Sequence, residues 1–312
     1  LLMVAATGAN VIGANCRVTS TGRIPISDLG SSLYLGQFQG GLYPNGSNAV
    51  PAPHAAEGAL RANAIGPLTS QGQPTTAANG KFVLLSIGMS NTTQEYSRFV
   101  QLATNNALVN HPEMKIIDGA SGGQTSVTWD NPADANYDRV RDMVLAPRGL
   151  TEAQVAAAWV KTANAGPTLS LPNANADAYQ LVTYMGNIVR AMKVRYPNLQ
   201  VVFFSSRIYA GYASTTLNPE PYAYESAFGV KWTVEAQINQ MNGGGVDPRA
   251  GNLDYHNGTS PWLAWGPYTW ADGLTPRSDG LTWECSNLSS DGTHPSDTGR
   301  TKVATMLLNF LL

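Results

Sequence analysis

Charge is scarce in this sequence. Only 13% of its 312 residues are Asp, Glu, Lys or Arg, about half of the ~25% usual in soluble domains. The 19 basic and 21 acidic residues leave a net charge of −2, with no cluster of Lys or Arg. No field would therefore draw nucleic acid or an anionic membrane surface. Cysteine is scarcer still. Cys16 and Cys285 stand alone, with no CxxC and no Cys/His spacing suited to a metal. They are either two unrelated buried thiols or one disulfide tying the N-terminal segment to the loop before Asp291, a bond that an oxidising compartment would permit. No run of about 18 apolar residues offers a transmembrane helix. HExxH and Asp-rich loops are missing too, so neither a metal nor a cofactor is expected. Only four histidines can serve as a base near neutral pH: His54, His111, His256 and His294.

Glycine (31), proline (19) and many Asn, Ser and Thr fill the space that charge leaves. This mixture suits a loop-rich extracellular protein. Hydrophobic residues, at 43%, suffice for a sizeable core. Residues 1–16 are mildly apolar, lack a basic stretch and contain Asn10 and Asn15. The chain does not open on Met, and a leader already trimmed is the expectation. Residues 1–80 carry turn signals such as Tyr43-Pro44-Asn45-Gly46, Pro51-Ala52-Pro53 and Gln71-Gly72-Gln73-Pro74. They read as an irregular layer packed on the core, not as an independent domain.

From Phe82 the texture changes. The run 82–87 (FVLLSI) predicts a buried parallel strand. A helix follows, with Tyr96, Phe99, Val100 and Ala103 on one face. Lys115-Ile116-Ile117 predicts a second strand. Residues 154–160 (QVAAAWV) fit either a third strand or a helix capped at Thr151. A helix is expected from about 177 to 195, a strand over 200–205, a helix over 224–241, and a last helix from about Ser296. Such alternation implies a parallel sheet covered on both faces, with ligands bound beyond the carboxyl ends of its strands.

The candidate chemistry lies at those ends. Serine is a weak nucleophile at neutral pH and needs a base beside it. His294 sits in Asp291-Gly292-Thr293-His294, where a Gly turn lets the carboxylate fold back onto the ring, fix its tautomer and stabilise the imidazolium. In Gly88-Met89-Ser90, directly after the first strand, Ser90 would stand at a helix N-terminus that favours an oxyanion; as a bland alternative it only caps that helix. Asp118 to Ser126 (DGASGGQTS) is a Gly-rich loop able to present N–H groups, or a plain turn. Asn164, after the third strand, could donate an amide, or sit in an ordinary loop.

These four blocks, in this order, resemble the SGNH (GDSL-type) hydrolases. The resemblance covers about residues 82–164 and 283–312. It implies a flavodoxin-like three-layer α/β/α sandwich over 81–312, around a central parallel sheet, with an aromatic-rich insert at about 207–283. It also implies a carboxylic ester hydrolase without cofactor. Ser90 matches the nucleophile, Asp291 and His294 the acid and base. The N–H groups of Ser90 and Gly123, with the Asn164 amide, match the oxyanion hole. Gly-Met-Ser-Asn departs from Gly-Asp-Ser and looks closer to the Gly-Gln-Ser-Asn variant of the carbohydrate acetylesterase branch; Thr-Ala-Asn-Ala departs from Gly-x-Asn-Asp. Short acyl, above all acetyl, esters are therefore the expected substrates, on small molecules or carbohydrates, and a secreted location is expected. The oligomeric state is open.

Other readings compete. Gly119-Ala120-Ser121-Gly122-Gly123 fits the Gly-x-Ser-x-Gly elbow of α/β-hydrolases, with Ser121 as nucleophile. The aromatic segment 261–270 (PWLAWGPYTW) could stack sugars, Trp265 among its rings, in a catalytic or a purely glycan-binding protein; core packing is the plainer alternative. Arg207, after the 200–205 strand, could touch substrate or pair with Glu220 or Glu225. His54, His111 and His256 are expected in surface or loop roles.

Overall fold

Short segments rich in Val, Ile, Ala, Phe and Trp make the centre of the molecule. In the computed structural model, which describes residues 13–312, a helix α1 (Ala52–Asn63) precedes strand β1 (Phe82–Gly88). Helix α2 (Ser90–Thr104), β2 (Met114–Asp118), β3 (Val155–Lys161), α3 (Asp177–Arg195), β4 (Val201–Phe204), α4 (Tyr222–Met241), β5 (Trp262–Trp265) and α5 (Asp297–Leu311) follow. These five strands form one sheet, all parallel, in the order β2-β1-β3-β4-β5. This is the flavodoxin-like order, and the expected α/β fold is the observed one.

The strands lie between layers of helices, so their sequences are nearly unbroken apolar runs rather than alternating ones. Six of the seven residues of β1 are buried. Right-handed crossovers put α2 on one face and α3 and α4 on the other. Helix α5 packs beside α2, and α3 beside α4. In the core, Tyr96 of α2 stacks on Trp159 of β3 at 5.7 Å and donates its hydroxyl to Leu84 O at 2.9 Å.

The chain adds β2 on one side of β1 and then crosses to add β3 on the other. That reversal opens a crevice between the carboxyl ends of β1 and β3. Gly88 closes β1 there, with φ of 150°. A Cβ on it would sit 2.1 Å from Lys161 O of β3, so only glycine permits this approach.

Several expectations change. Pro51-Ala52-Pro53 is no turn: Pro51 precedes the first turn of α1, where the missing N–H of Pro53 costs nothing. The stretch before β1 thus carries a 12-residue helix packed on β4 and β5. At Thr151 both alternatives hold in part. Thr151 and Gln154 form a capping box, but it closes a single 3₁₀ turn before the chain runs on as β3. The aromatic segment holds β5, the sheet's fifth strand, which was not foreseen. Readings placed on residues 1–12 lie outside the described residues.

Cys16 and Cys285 form a disulfide, with Cα atoms 5.4 Å apart and a separation of 269 positions in sequence. Beside it, Ala14 N–H donates to Ser290 O at 2.5 Å and Asn15 N–H to Tyr212 O at 2.9 Å. The N-terminal segment is therefore stitched to the chain just before Asp291. A Cys16→Ser/Cys285→Ser variant should lose about 2–5 kcal/mol of stability, mostly through a freer unfolded chain. Urea unfolding of oxidised wild type and of the variant would read this, and equal midpoints would contradict it.

Candidate active site

Three side chains from distant parts of the chain meet at the crevice. Ser90 is the first residue of α2, and its Oγ lies 2.8 Å from His294 Nε2. On the other side of the ring, His294 Nδ1 lies 2.5 Å from Asp291 Oδ2. With Nδ1–H donated to the carboxylate, Nε2 is left to accept the Ser90 hydroxyl proton.

A four-residue turn builds the acid–base half. Asp291 Oδ1 accepts the backbone N–H groups of Thr293 (2.9 Å) and His294 (3.0 Å), while Oδ2 takes the ring. Gly292 makes the turn possible, with φ of 64° and a Cβ position only 2.0 Å from Tyr212 O. Burial pushes the Asp291 carboxyl up, but these hydrogen bonds outweigh it and hold the group below its ordinary value, so it is ionised at neutral pH. The turn is held from both sides: Asn91 Nδ2 donates to Thr293 O at 3.1 Å, and Ser214 N–H donates to Asp291 O at 2.9 Å.

The Gly-rich loop reaches the same place. Asp118, at the end of β2, accepts hydroxyls from Ser86 (2.6 Å), Thr93 (2.6 Å) and Ser97 (2.8 Å). Ser86 Oγ in turn accepts Gly119 N–H at 3.1 Å, fixing the loop's departure. Gly123 lines a cavity of about 280 Å³ together with Ser90, His294, Asn164 and Arg207. Ser121 is not part of the hydrogen-bonded chain: its N–H donates to Gly88 O at 3.1 Å, and the imidazole bonds Ser90.

Other sequence candidates fare differently. Asn164 lines the cavity, yet its amide is engaged elsewhere: Nδ2 donates to Asp177 O (3.0 Å) and Gln180 Oε1 (3.3 Å), and Oδ1 accepts from Ser126 Oγ (2.8 Å). To reach an oxyanion it would have to release one of them. Arg207 is 2% exposed and forms no ion pair with Glu220 or Glu225. Those carboxylates are occupied: Glu220 accepts from Trp270 Nε1 and two backbone N–H groups, Glu225 from Tyr34 and Leu171. Trp265 is buried away from the cavity, its Nε1 donating to Leu42 O at 2.7 Å, which corrects the expectation that it touches substrate. His54 is not on the surface but buried against Trp262, bonded to Leu263 O at 2.8 Å. Asn91, Leu217, Asn218 and Thr293 also line the cavity and were missed. Asn91 carries a readable signal, following the candidate nucleophile; Leu217 and Asn218 sit in the insert, where nothing marks them.

Beneath the crevice lies a buried ion pair. Lys161 Nζ, at the end of β3, donates to both carboxylate oxygens of Glu95 of α2, at 2.7 and 2.6 Å, with both side chains wholly buried. Burial pulls the Lys161 ammonium down to about 8, and attraction to Glu95 keeps it from falling further.

No protein-family model matches the chain, and no curated protein matches it. Among solved structures, a candidate acylhydrolase from Bacteroides fragilis is similar over 84% of this chain and 98% of its own, at 13% identity and a TM-score of 0.41. A candidate GDSL-like lipase from Parabacteroides merdae is similar over 76% of this chain and 99% of its own, at 13% identity and a TM-score of 0.40. An extracellular lipase from Streptomyces rimosus is similar over 74% of this chain and 100% of its own, at 10% identity and a TM-score of 0.34. Likenesses this distant decide nothing about chemistry.

Breaking the buried pair from one side strands a charge. Glu95→Gln should cost about 3–5 kcal/mol, whereas Glu95→Leu/Lys161→Met, which removes both charges, should recover most of that loss. Urea midpoints of the two variants would distinguish this from a pair without net coupling, for which the double variant would be the less stable.

Proposed function

We propose that this protein is a serine ester hydrolase acting through an acyl-enzyme, with Ser90 as nucleophile, His294 as base and Asp291 as its orienting carboxylate. One observation carries the reading: the unbroken hydrogen-bonded chain from Ser90 Oγ through the imidazole to Asp291, 2.8 and 2.5 Å in its two links. A hydroxyl so placed loses its proton to Nε2 as it attacks an ester carbonyl. The resulting imidazolium is stabilised by an Asp291 that is already ionised. The backbone N–H of Ser90 stands at the positive end of α2 and serves the oxyanion with that of Gly123. Asn164 joins them only if it gives up Gln180. His294 then protonates the leaving alcohol, and water, deprotonated by the same ring, releases the acyl group.

The small cavity favours short acyl groups, acetyl first, and the Gly-Met-Ser-Asn resemblance favours a carbohydrate or other small ester as substrate. The disulfide supports an extracytoplasmic location, where such bonds persist.

The test is a fluorophosphonate probe together with 4-nitrophenyl acetate turnover. Ser90→Ala should abolish labelling, and Ser90→Ala and His294→Ala should each lower kcat by at least about a thousandfold, Asp291→Asn by up to about 10⁴. Ser121→Ala should leave labelling intact. Loss of activity in Ser121→Ala alone, or polysaccharide binding by a protein that never labels, would replace this reading. Across a chain-length series, acetyl esters should be cleaved faster than octanoyl ones, and the reverse order would remove the short-acyl assignment.

A further inference from the structure

A guanidinium buried without a partner is costly, because desolvating a charge is repaid only by pairing or hydrogen bonding. Arg207 is such a group. It is 2% exposed, and its Nε and Nη2 have no hydrogen-bond partner among the described residues. The carboxylates whose fields reach it are Glu95, Glu220 and Asp291, and each is engaged elsewhere. Glu95 gives both oxygens to Lys161, Glu220 takes the Trp270 indole and two backbone N–H groups, and Asp291 takes the turn and the His294 ring. Lys161 is a second buried cation close enough for Arg207 to depress its ammonium. Arg207 lines the cavity that contains Ser90 and His294. On the same lining, Asn218 Oδ1 is also buried and has no partner among the described residues. The lining of the cavity therefore includes one cation and one acceptor that lack partners among the described residues.

We propose that Arg207 is the specificity-determining residue of this cavity, and that the ester cleaved at Ser90 carries a carboxylate. A guanidinium fork receives a planar carboxylate on two parallel N–H bonds. The free Asn218 oxygen accepts a hydroxyl, so a hydroxylated acid fits both groups. The carboxylate enters either on the acyl side, as in a hemiester of a dicarboxylic acid, or on the alcohol side, as in an acetylated uronic acid. This rests on the serine-esterase reading, and fluorophosphonate labelling of Ser90 reports on that reading separately.

Matched substrate pairs test the proposal. On the acyl side, mono-4-nitrophenyl glutarate is compared with neutral, equally bulky 4-nitrophenyl 5-methylhexanoate, after subtraction of spontaneous hydrolysis. On the alcohol side, O-acetylated glucuronic acid is compared with its methyl ester. The readout is the anionic-to-neutral ratio of kcat/KM, whatever becomes of either rate alone. Wild type should favour the anionic member of at least one pair by about tenfold or more, the worth of a charge-assisted hydrogen bond, and the pair that responds names the side. Arg207→Gln should bring that ratio to about one or below; Arg207→Lys, which keeps the charge without the fork, should fall between. A wild-type ratio at or below one in both pairs, with Ser90 still labelled, overturns the proposal and spares the esterase reading. So does a ratio that survives in either folded variant Arg207→Gln or Arg207→Met. Should no variant fold, the wild-type ratios decide.

Discussion

The turn from Asp291 to His294 is the constraint on which the site depends. Its carboxylate has two tasks at once, accepting two backbone N–H groups of its own turn with one oxygen and the imidazole with the other. The ring is thereby fixed by local chain geometry, and only its far nitrogen has to find a distant partner. Everything else serves that meeting. The sheet reversal places the end of β1 at the crevice, Gly88 lets it approach β3, and Asn91, next to Ser90, reaches across to bond Thr293. The nucleophile's own helix therefore also clamps the loop that supplies the base.

Much of this is legible in the sequence, for physical reasons. Buried parallel strands must be apolar on both faces, so FVLLSI, KII and VVFF announce themselves. Ser90 and the Asp-x-x-His turn were legible because both depend on neighbours in sequence: strand, glycine, hydroxyl and helix start in one case, carboxylate, glycine and imidazole in the other. What stayed hidden depends on tertiary partners. Asn164 has the right place, but the carbonyl of Asp177 decides where its amide points. Glu220 is a plausible mate for Arg207 by proximity in the chain, yet its oxygens cap backbone N–H groups and an indole. The segment 262–265 (WLAW) is too short, and too aromatic on every side, for periodicity to separate a strand from loop packing. Pro51-Ala52-Pro53 misleads because proline is as welcome in the first turn of a helix as in a bend.

Charge is treated unevenly within the fold. A protein with so few ionic groups places several of them in its interior, around the end of β3 and the start of α2. Lys161 gives two of its N–H groups to the two oxygens of Glu95. Arg207, which feels the field of Glu95, does not share their pairing. The contrast separates a pair beneath the crevice from a cation in the lining of its cavity.

The Cys16–Cys285 bond closes all but the two ends of the chain into a covalent ring. Within that ring lie Ser90 and every strand of the sheet, while the turn bearing Asp291 and His294 follows a few residues beyond its closing point. Scission of any single peptide bond between the two cysteines would therefore open the ring without dividing the molecule. A protease that nicks one exposed loop of the ring leaves two chains joined by the disulfide and held at high effective concentration, and a second cut within the ring is needed to release a fragment from it.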